Sequence, residues 1–368
     1  MVDIDRILKN AIEKEASDIH LIAGIKPTLR VCRELEMCED FNTLSKEDMF
    51  EIYDYFIRGN LDKDKEFKET KRLDFSYEYE EYILRINISE ADEVPIFTLR
   101  IFKNTIPSLE TLRIPESVKK AINESQGLIL VTGKTNSGKT TTINALINYI
   151  NETQSKMIVT LESPVEYKHK CKKSIIVQKE VGLGQDVITY KDGINNSLRE
   201  DCDVLAIGEI KDKQTMESAI EVAEAGHLVI GTLNTNSCAS TIEKIISFYE
   251  KSDEQNIKFL LSSVLKLVIS QRIIKSKEDK LVLIPEVMVI DDTVSGKIRK
   301  EKITEDELEE VIQNSLGNGS ISFIDSIAQL FIEDIITLEQ AKAQIKDKDI
   351  EILNRKIMQL KIKKSKCQ

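Results

Sequence analysis

Apolar positions in the first third of the chain recur with two different periods. Ile4, Ile7, Leu8, Ala11 and Ile12 fall three or four residues apart, a stripe that predicts a helix over 3–14. Segments 17–23 and 27–32 read as strands on either side of a turn at Gly24. A polar start at Thr43 to Ser45 leads into helical spacing as far as Ile57. Beyond it, 74–82, 83–88 and 96–102 carry the alternation expected of an antiparallel sheet. Together these elements make an α+β domain over 1–103.

The pattern changes after Pro107 and Pro115, which punctuate a linker over 104–121. Four short apolar runs follow, at 127–132, 157–161, 204–207 and 227–233, each leading into helical spacing. Such βα alternation predicts a parallel sheet covered by helices on both faces, here over 122–290. The remaining 291–368 form a helical region, helical throughout from Thr304, whose Lys-rich end (Lys361, Lys363, Lys364, Lys366) reads as a solvated tail.

Composition narrows the class. A chain of 368 residues exceeds what one core organises, and 41% hydrophobic content is enough to fill two. No run approaches 18 uninterrupted apolar residues, and the N-terminus lacks a basic segment leading into an apolar one, so neither a membrane span nor a secretion signal is expected. The six cysteines (Cys32, Cys38, Cys171, Cys202, Cys238, Cys367) show no C-x-x-C spacing. They read as reduced thiols of a cytosolic protein rather than a disulfide framework or zinc ribbon. A net charge of -11 offers no broad positive field, so nucleic acid is not an expected partner.

One motif carries phosphate chemistry. Gly133-Lys134-Thr135-Asn136-Ser137-Gly138-Lys139-Thr140 fits G-x-x-x-x-G-K-[ST], and Thr141 follows it. It lies between the apolar run 127–131 and helical spacing over 141–150, the context that a P-loop requires. Its glycines let the backbone turn tightly, so that amide N–H groups and the helix N-terminus face phosphate oxygens. Lys139 is placed to reach the β and γ phosphates of ATP, and the Thr140 hydroxyl to bind Mg2+.

Two carboxylates follow later strands. Glu209 ends the run Leu205-Ala206-Ile207-Gly208, with Gly208 where an Asp-Glu pair would have its aspartate. A carboxylate there can order or deprotonate an attacking water, though Glu209 could also cap the next helix. Glu162, after the 157–161 run, is expected on the same sheet edge, where ligands of open α/β sheets bind. It would support Mg2+ or the water, or belong to an ordinary loop with Pro164.

These segments together resemble the secretion ATPase superfamily of type II secretion and type IV pili, and most closely its pilus-retraction branch. An Asp box is seen in Thr160-Leu161-Glu162-Ser163-Pro164-Val165-Glu166. An atypical Walker B, preceded by Leu198-Arg199-Glu200-Asp201-Cys202-Asp203, runs to Asp212. A His box is seen in Gly226-His227-Leu228-Val229-Ile230-Gly231-Thr232-Leu233-Asn234-Thr235-Asn236-Ser237. Similarity extends to Ala16-Ser17-Asp18-Ile19-His20-Leu21, to Leu84-Arg85-Ile86-Asn87 and to 322–345.

The resemblance implies an α/β fold: a RecA-like P-loop ATPase domain with an N-terminal α+β, PAS-like domain and a C-terminal helical region. It implies a homohexamer in which the N-terminal domain of one subunit closes on the nucleotide of its neighbour, with Arg85 and Arg100 supplied in trans. His227 is implied as a γ-phosphate or sheet-edge sensor. The expected partner is an inner-membrane pilus platform protein, the location the cytoplasmic face of the membrane, and membrane contact indirect. Ser163 replaces the second carboxylate of the Asp box, Lys211 an arginine, and Asn234 a second histidine; serine and asparagine keep hydrogen-bonding capacity but lose charge or titration, which is compatible with slow turnover. The short chain without a four-cysteine motif points to retraction rather than assembly or type II secretion, although 293–301 is a degenerate form of the retraction-associated element. A catalytically weak nucleotide-binding regulator is the competing class; a hexameric helicase finds no support in the charge.

Overall fold

Helix α1 (Ile4–Glu13) buries Ile4, Ile7, Leu8 and Ala11, and Asp3 caps its first turn by accepting from the Arg6 N–H. It opens the computed structural model, which describes residues 2–32, 34–278, 280–300, 302, 304–314 and 317–366, and all their side chains except Lys103 and 363–366. Glu301 and Cys367, singled out above, lie outside the described residues, as do the side chains of Lys363, Lys364 and Lys366.

The chain divides into two compact units. The first holds Met1–Thr105 together with two later segments, Ser163–His169 and Lys179–Ile188. After α1 come β1 (Asp18–Leu21), β2 (Thr28–Val31), β3 (Glu34–Met37), α2 (Lys46–Ile57), α3 (Leu61–Thr70), β4 (Arg72–Tyr79), β5 (Tyr82–Ala91) and β6 (Val94–Lys103). The strands form one antiparallel sheet in the order β3-β2-β1-β6-β5-β4. Ser45 and Asp48 close a capping box on α2, whose Met49, Ile52 and Phe56 join Phe97 and Leu99 of β6 in the core. Two elements escape the sequence reading for the same reason. Strand β3 is exposed at all four positions, and α3 buries only Phe67, so neither shows an apolar period.

In the second unit, which includes β9 as far as Gln178, α4 (Glu116–Ala121) precedes β7 (Gly127–Thr132), α5 (Lys139–Thr153), β8 (Met157–Glu162), β9 (Ile175–Glu180), α6 (Tyr190–Ser197) and β10 (Val204–Ile207). Then come α7 (Lys213–Glu224), β11 (Leu228–Leu233), α8 (Cys238–Ile246), α9 (Glu254–Val264), β12 (Leu265–Lys275) and β13 (Leu281–Val289). The seven-stranded sheet has the order β13-β12-β7-β11-β10-β8-β9. The four apolar runs are its parallel centre, and β7, β10 and β11 are buried at every position. The structure adds β12, parallel to β7, and β13, antiparallel to β12. It also places a loop and β9 after β8, where a helix was expected.

The C-terminal helices are α10 (Asp292–Ile298), α11 (Glu305–Asn314), α12 (Phe323–Ile332), α13 (Leu338–Lys342) and α14 (Ile350–Lys366). They are not continuous from Thr304: Ile321 bridges back to Val287 of β13 before α12 starts. Ile327, Leu330, Ile336 and Leu353 close a separate core over Ile284 of β13.

Phe97 is fully buried, with its ring centre 6.0 Å from that of Phe56 in a tilted pair. Phe97→Ala is expected to cost about 3–5 kcal/mol of stability, because a ring-sized cavity collapses only in part. Urea unfolding followed by tyrosine fluorescence checks this, and a loss below about 1 kcal/mol would contradict the packing described.

Candidate functional site

Parallel strands bring the residues that follow them to one edge of the sheet. The loops after β7, β8, β10 and β11 carry Gly133, Ser163, Gly208 and Asn234 respectively, so the P-loop, Glu162, Glu209 and Asn234 share the C-terminal edge.

The P-loop depends on a backbone that only glycine takes easily. Gly133 has φ 151°, and a Cβ there would lie 2.3 Å from Ser137 Oγ and 2.6 Å from the Gln271 carbonyl. Ser137 is buried, and its carbonyl accepts from Gln271 Nε2 at 2.7 Å, which fixes the loop against β12. Lys134, Thr135 and Asn136 are exposed, and Gly138 through Thr141 are half-buried at the start of α5. Asn144 donates to the Thr140 carbonyl at 2.9 Å one turn later.

Lys139 folds back over this loop. Its Nζ donates to the Gly133 carbonyl at 2.9 Å, the Lys134 carbonyl at 3.0 Å and Asn234 Oδ1 at 2.7 Å. Burial lowers the affinity of this ammonium for its proton, and the charge of Glu209 partly offsets that. The other end of the Asn234 amide donates to Glu209 Oε1 at 2.6 Å, while Lys211 Nζ lies 2.9 Å from Glu209 Oε2. Asn234 therefore bridges the cation and the carboxylate with one amide orientation, oxygen to lysine and nitrogen to glutamate.

Glu162 is buried and accepts from Thr160 Oγ1 at 2.7 Å and Gln178 Nε2 at 3.1 Å. Gly208 explains the missing aspartate. A Cβ there would approach the Leu161 carbonyl to 2.9 Å and Glu162 Cα to 3.3 Å, so no side chain fits between these strands. Tyr190 also faces this edge, with its hydroxyl 3.3 Å from the same point. Burial, then the charges of Glu209 and Glu162, push that phenol up to about 12, so it stays a neutral donor. Tyr190 and Gln271 escaped the sequence reading, since neither belongs to a motif; Asn234 was read only as a departure from one.

His227 requires a correction. It precedes β11, whose Leu228 pairs with Gly127 at the start of β7, whereas the P-loop follows the end of β7. Six strand residues, about 20 Å, separate that level from the cradle. Its Nδ1 lies 2.7 Å from the Cys202 carbonyl, beside Asp203, whose carboxylate accepts from the Met157 N–H. His227 thus ties strand starts together and does not reach the phosphate site of its own chain.

Arg85 and Arg100 lie in the first unit, directly paired across β5 and β6. Arg100 Nε donates to Asp18 Oδ1 at 2.9 Å, and Asp18 pairs with Arg100 across β1 and β6. Burial would raise the Asp18 carboxyl, but the Ser17 hydroxyl and Arg100 together hold it below its usual range. That carboxylate relieves two like charges placed side by side, and both arginines remain exposed.

A family model described as type II/IV secretion system protein matches residues 1–281. The chain belongs to this family. It is 31% identical over 346 residues to the type IV pilus retraction ATPase PilT of Pseudomonas aeruginosa, covering 94% of this chain and 98% of that one. A twitching motility protein of Neisseria gonorrhoeae is 34% identical over 287 residues, 77% of this chain and 76% of the relative. A crystal structure of the pilus retraction motor PilT with bound ADP matches with a TM-score of 0.85 at 33% identity, covering 95% of this chain and 99% of that one. As a member of this secretion ATPase family the chain binds nucleotide and is an ATPase. Among the described residues, no helix is long and apolar enough to cross a membrane.

Behind the 234–237 loop, Glu286 of β13 is buried and accepts from the Cys238 N–H at 2.7 Å. Burial pushes its carboxyl up to about 7 from an ordinary 4.5, against the pull of the Cys238 N–H and thiol and of Arg272, with Glu309 adding to the rise. A folded value above the unfolded one means that the folded state holds the extra proton between these two values. Stability from this group is therefore full below about pH 4.5 and lost as pH rises to about 7. Glu286→Gln cannot titrate, so its stability relative to the parent should climb by up to about 1.4 kcal/mol per pH unit across that window. Urea titrations of both proteins from pH 5 to pH 7.5 check this; a constant difference would show an ordinary carboxyl.

Proposed function

We propose that this chain is the hexameric ATP-hydrolysing motor of a type IV pilus system and that it drives pilus retraction. The observation that carries the reading is the likeness to a retraction ATPase along nearly the full length of both chains. In this reading the amides of Gly133, Lys134, Thr135, Asn136, Ser137 and Gly138, together with the first turn through Thr141, hold the phosphates. Lys139 leaves its present acceptors for the β and γ phosphates, and Glu209 orders or deprotonates the attacking water. Glu162 supports that water from the neighbouring strand.

Mg2+ suits this edge, because it keeps waters and phosphates as ligands and asks little of the protein beyond the Thr140 hydroxyl. When bound it would neutralise part of the phosphate charge. Arg85 and Arg100 come from the first unit of a neighbouring subunit, where an always-charged guanidinium stabilises negative charge on the transferring phosphoryl group. The ring works at the cytoplasmic face of the inner membrane against a pilus platform protein, and touches the membrane only through that partner. The domain division 1–103, 104–121, 122–290 and 291–368 belongs to this proposal, with the ATPase core as the motor.

A second reading, a nucleotide-binding regulator with little turnover, is favoured by one observation: both oxygens of Glu209 are engaged, by Asn234 and Lys211. Steady-state ATPase assays on the purified hexamer separate the two. Lys139→Ala and Glu209→Gln should each lower turnover about 100-fold or more, with Glu209→Gln still binding nucleotide. A Glu209→Gln protein at the parental rate would sink the base assignment. In a deletion strain, retraction predicts more and longer surface pili, whereas a bald cell would mean assembly.

A further inference from the structure

Two neighbouring residues of β12 hold the two loops of the site from opposite faces. Gln271 points to one face and grips the P-loop through Ser137. Arg272, on the other face by strand alternation, donates from Nη2 to the Asn236 carbonyl at 3.4 Å. Asn236 lies two residues beyond Asn234, the bridge between Lys139 and Glu209.

Arg272 is itself held from the C-terminal side. Its Nη1 donates to the Gln344 carbonyl at 3.1 Å, just past α13, and its guanidinium lies 3.9 Å from the ring centre of Phe323 in α12. Glu286 sits on the same face of the hairpin, diagonal to Arg272 because it pairs with Ser270, and fixes the start of α8 through the Cys238 N–H. The segment from Asn234 to Cys238 is therefore held to the β12–β13 hairpin by one guanidinium and one carboxylate, beside its hydroxyl contacts with Thr241 and Ser240 of α8, and the guanidinium is seated in the C-terminal helices.

We infer that Arg272 is a positioning residue for ATP hydrolysis: seated between Phe323 and Gln344, it sets where the 234–237 loop presents Asn234 to Glu209 once Lys139 has turned to the phosphates. The inference rests on the proposal that this edge is the hydrolytic site. It gives the C-terminal helices a direct mechanical route to the catalytic carboxylate without any change in the P-loop, which Gln271 holds independently. A lysine cannot replace Arg272, because a compact ammonium lacks the planar fork whose separate nitrogens reach the Asn236 and Gln344 carbonyls while its face covers the Phe323 ring.

The test uses the full-length protein and four variants: Arg272→Ala, Arg272→Lys, Asn234→Ala and the Arg272→Ala/Asn234→Ala double variant. Turnover, the KM for ATP, the Kd for a fluorescent ADP analogue and the melting temperature are measured for each. Arg272→Ala should lower kcat at least tenfold while the nucleotide Kd stays within about threefold, since the P-loop is untouched. Arg272→Lys should melt near the parent yet keep most of the kcat loss, which separates positioning from folding. The double variant should be no slower than Asn234→Ala within twofold, because the arginine acts through the asparagine. Parental kcat in Arg272→Lys, or losses that multiply in the double variant, would overturn the inference while leaving the site proposal standing. Parental kcat in Asn234→Ala would overturn both.

Discussion

A half-buried ammonium at the start of α5 is the constraint on which the site depends. Partial burial disfavours its charge unless it is paired, so its three Nζ protons are matched to three acceptors. Two come from the P-loop turning on itself, at the Gly133 and Lys134 carbonyls, which is possible because Gly133 tolerates φ 151°. The third comes from Asn234 at the end of β11. Parallel pairing of β7 with β11 brings these two strand ends level, so the register of the sheet and the solvation of one lysine are the same requirement. From there the dependence runs outward: the Asn234 amide has its oxygen on lysine, so its nitrogen must face Glu209, and Lys211 completes the carboxylate.

The residues that the sequence revealed are those whose requirement is local. The P-loop needs glycines, a lysine and a hydroxyl within eight positions, between a strand and a helix, and all of that can be read along the chain. The apolar runs of β7, β10 and β11 are equally plain, since strands buried on both faces have no polar alternation to blur them. Strand direction decides the rest. A residue just before a parallel strand and one just after it lie at opposite edges, so His227 and Asn234, seven positions apart in one motif, cannot share a ligand within one chain. The histidine drew attention because it stands in the His box, yet the asparagine has the position. Gln271 and Tyr190 contribute through neighbours distant in sequence, Ser137 and Gly208, and no spacing announces such pairs.

Asparagine at position 234 changes what the bridge can do. A histidine there would exchange protons near neutral pH and could vary its charge as phosphates come and go. An amide has one charge state and, between a cation and a carboxylate, one orientation. The only variable left to it is where its backbone stands. That places control of Glu209 in the geometry of the 234–237 loop, and this loop is fastened to β12 by Arg272 and, through the start of α8, to β13 by Glu286. The hairpin in turn lies under the C-terminal helices through Ile284, Phe323 and Gln344. Under the proposed mechanism, an amide at this position makes Glu209 answer to packing, so a displacement of those helices would reach it through the 234–237 loop.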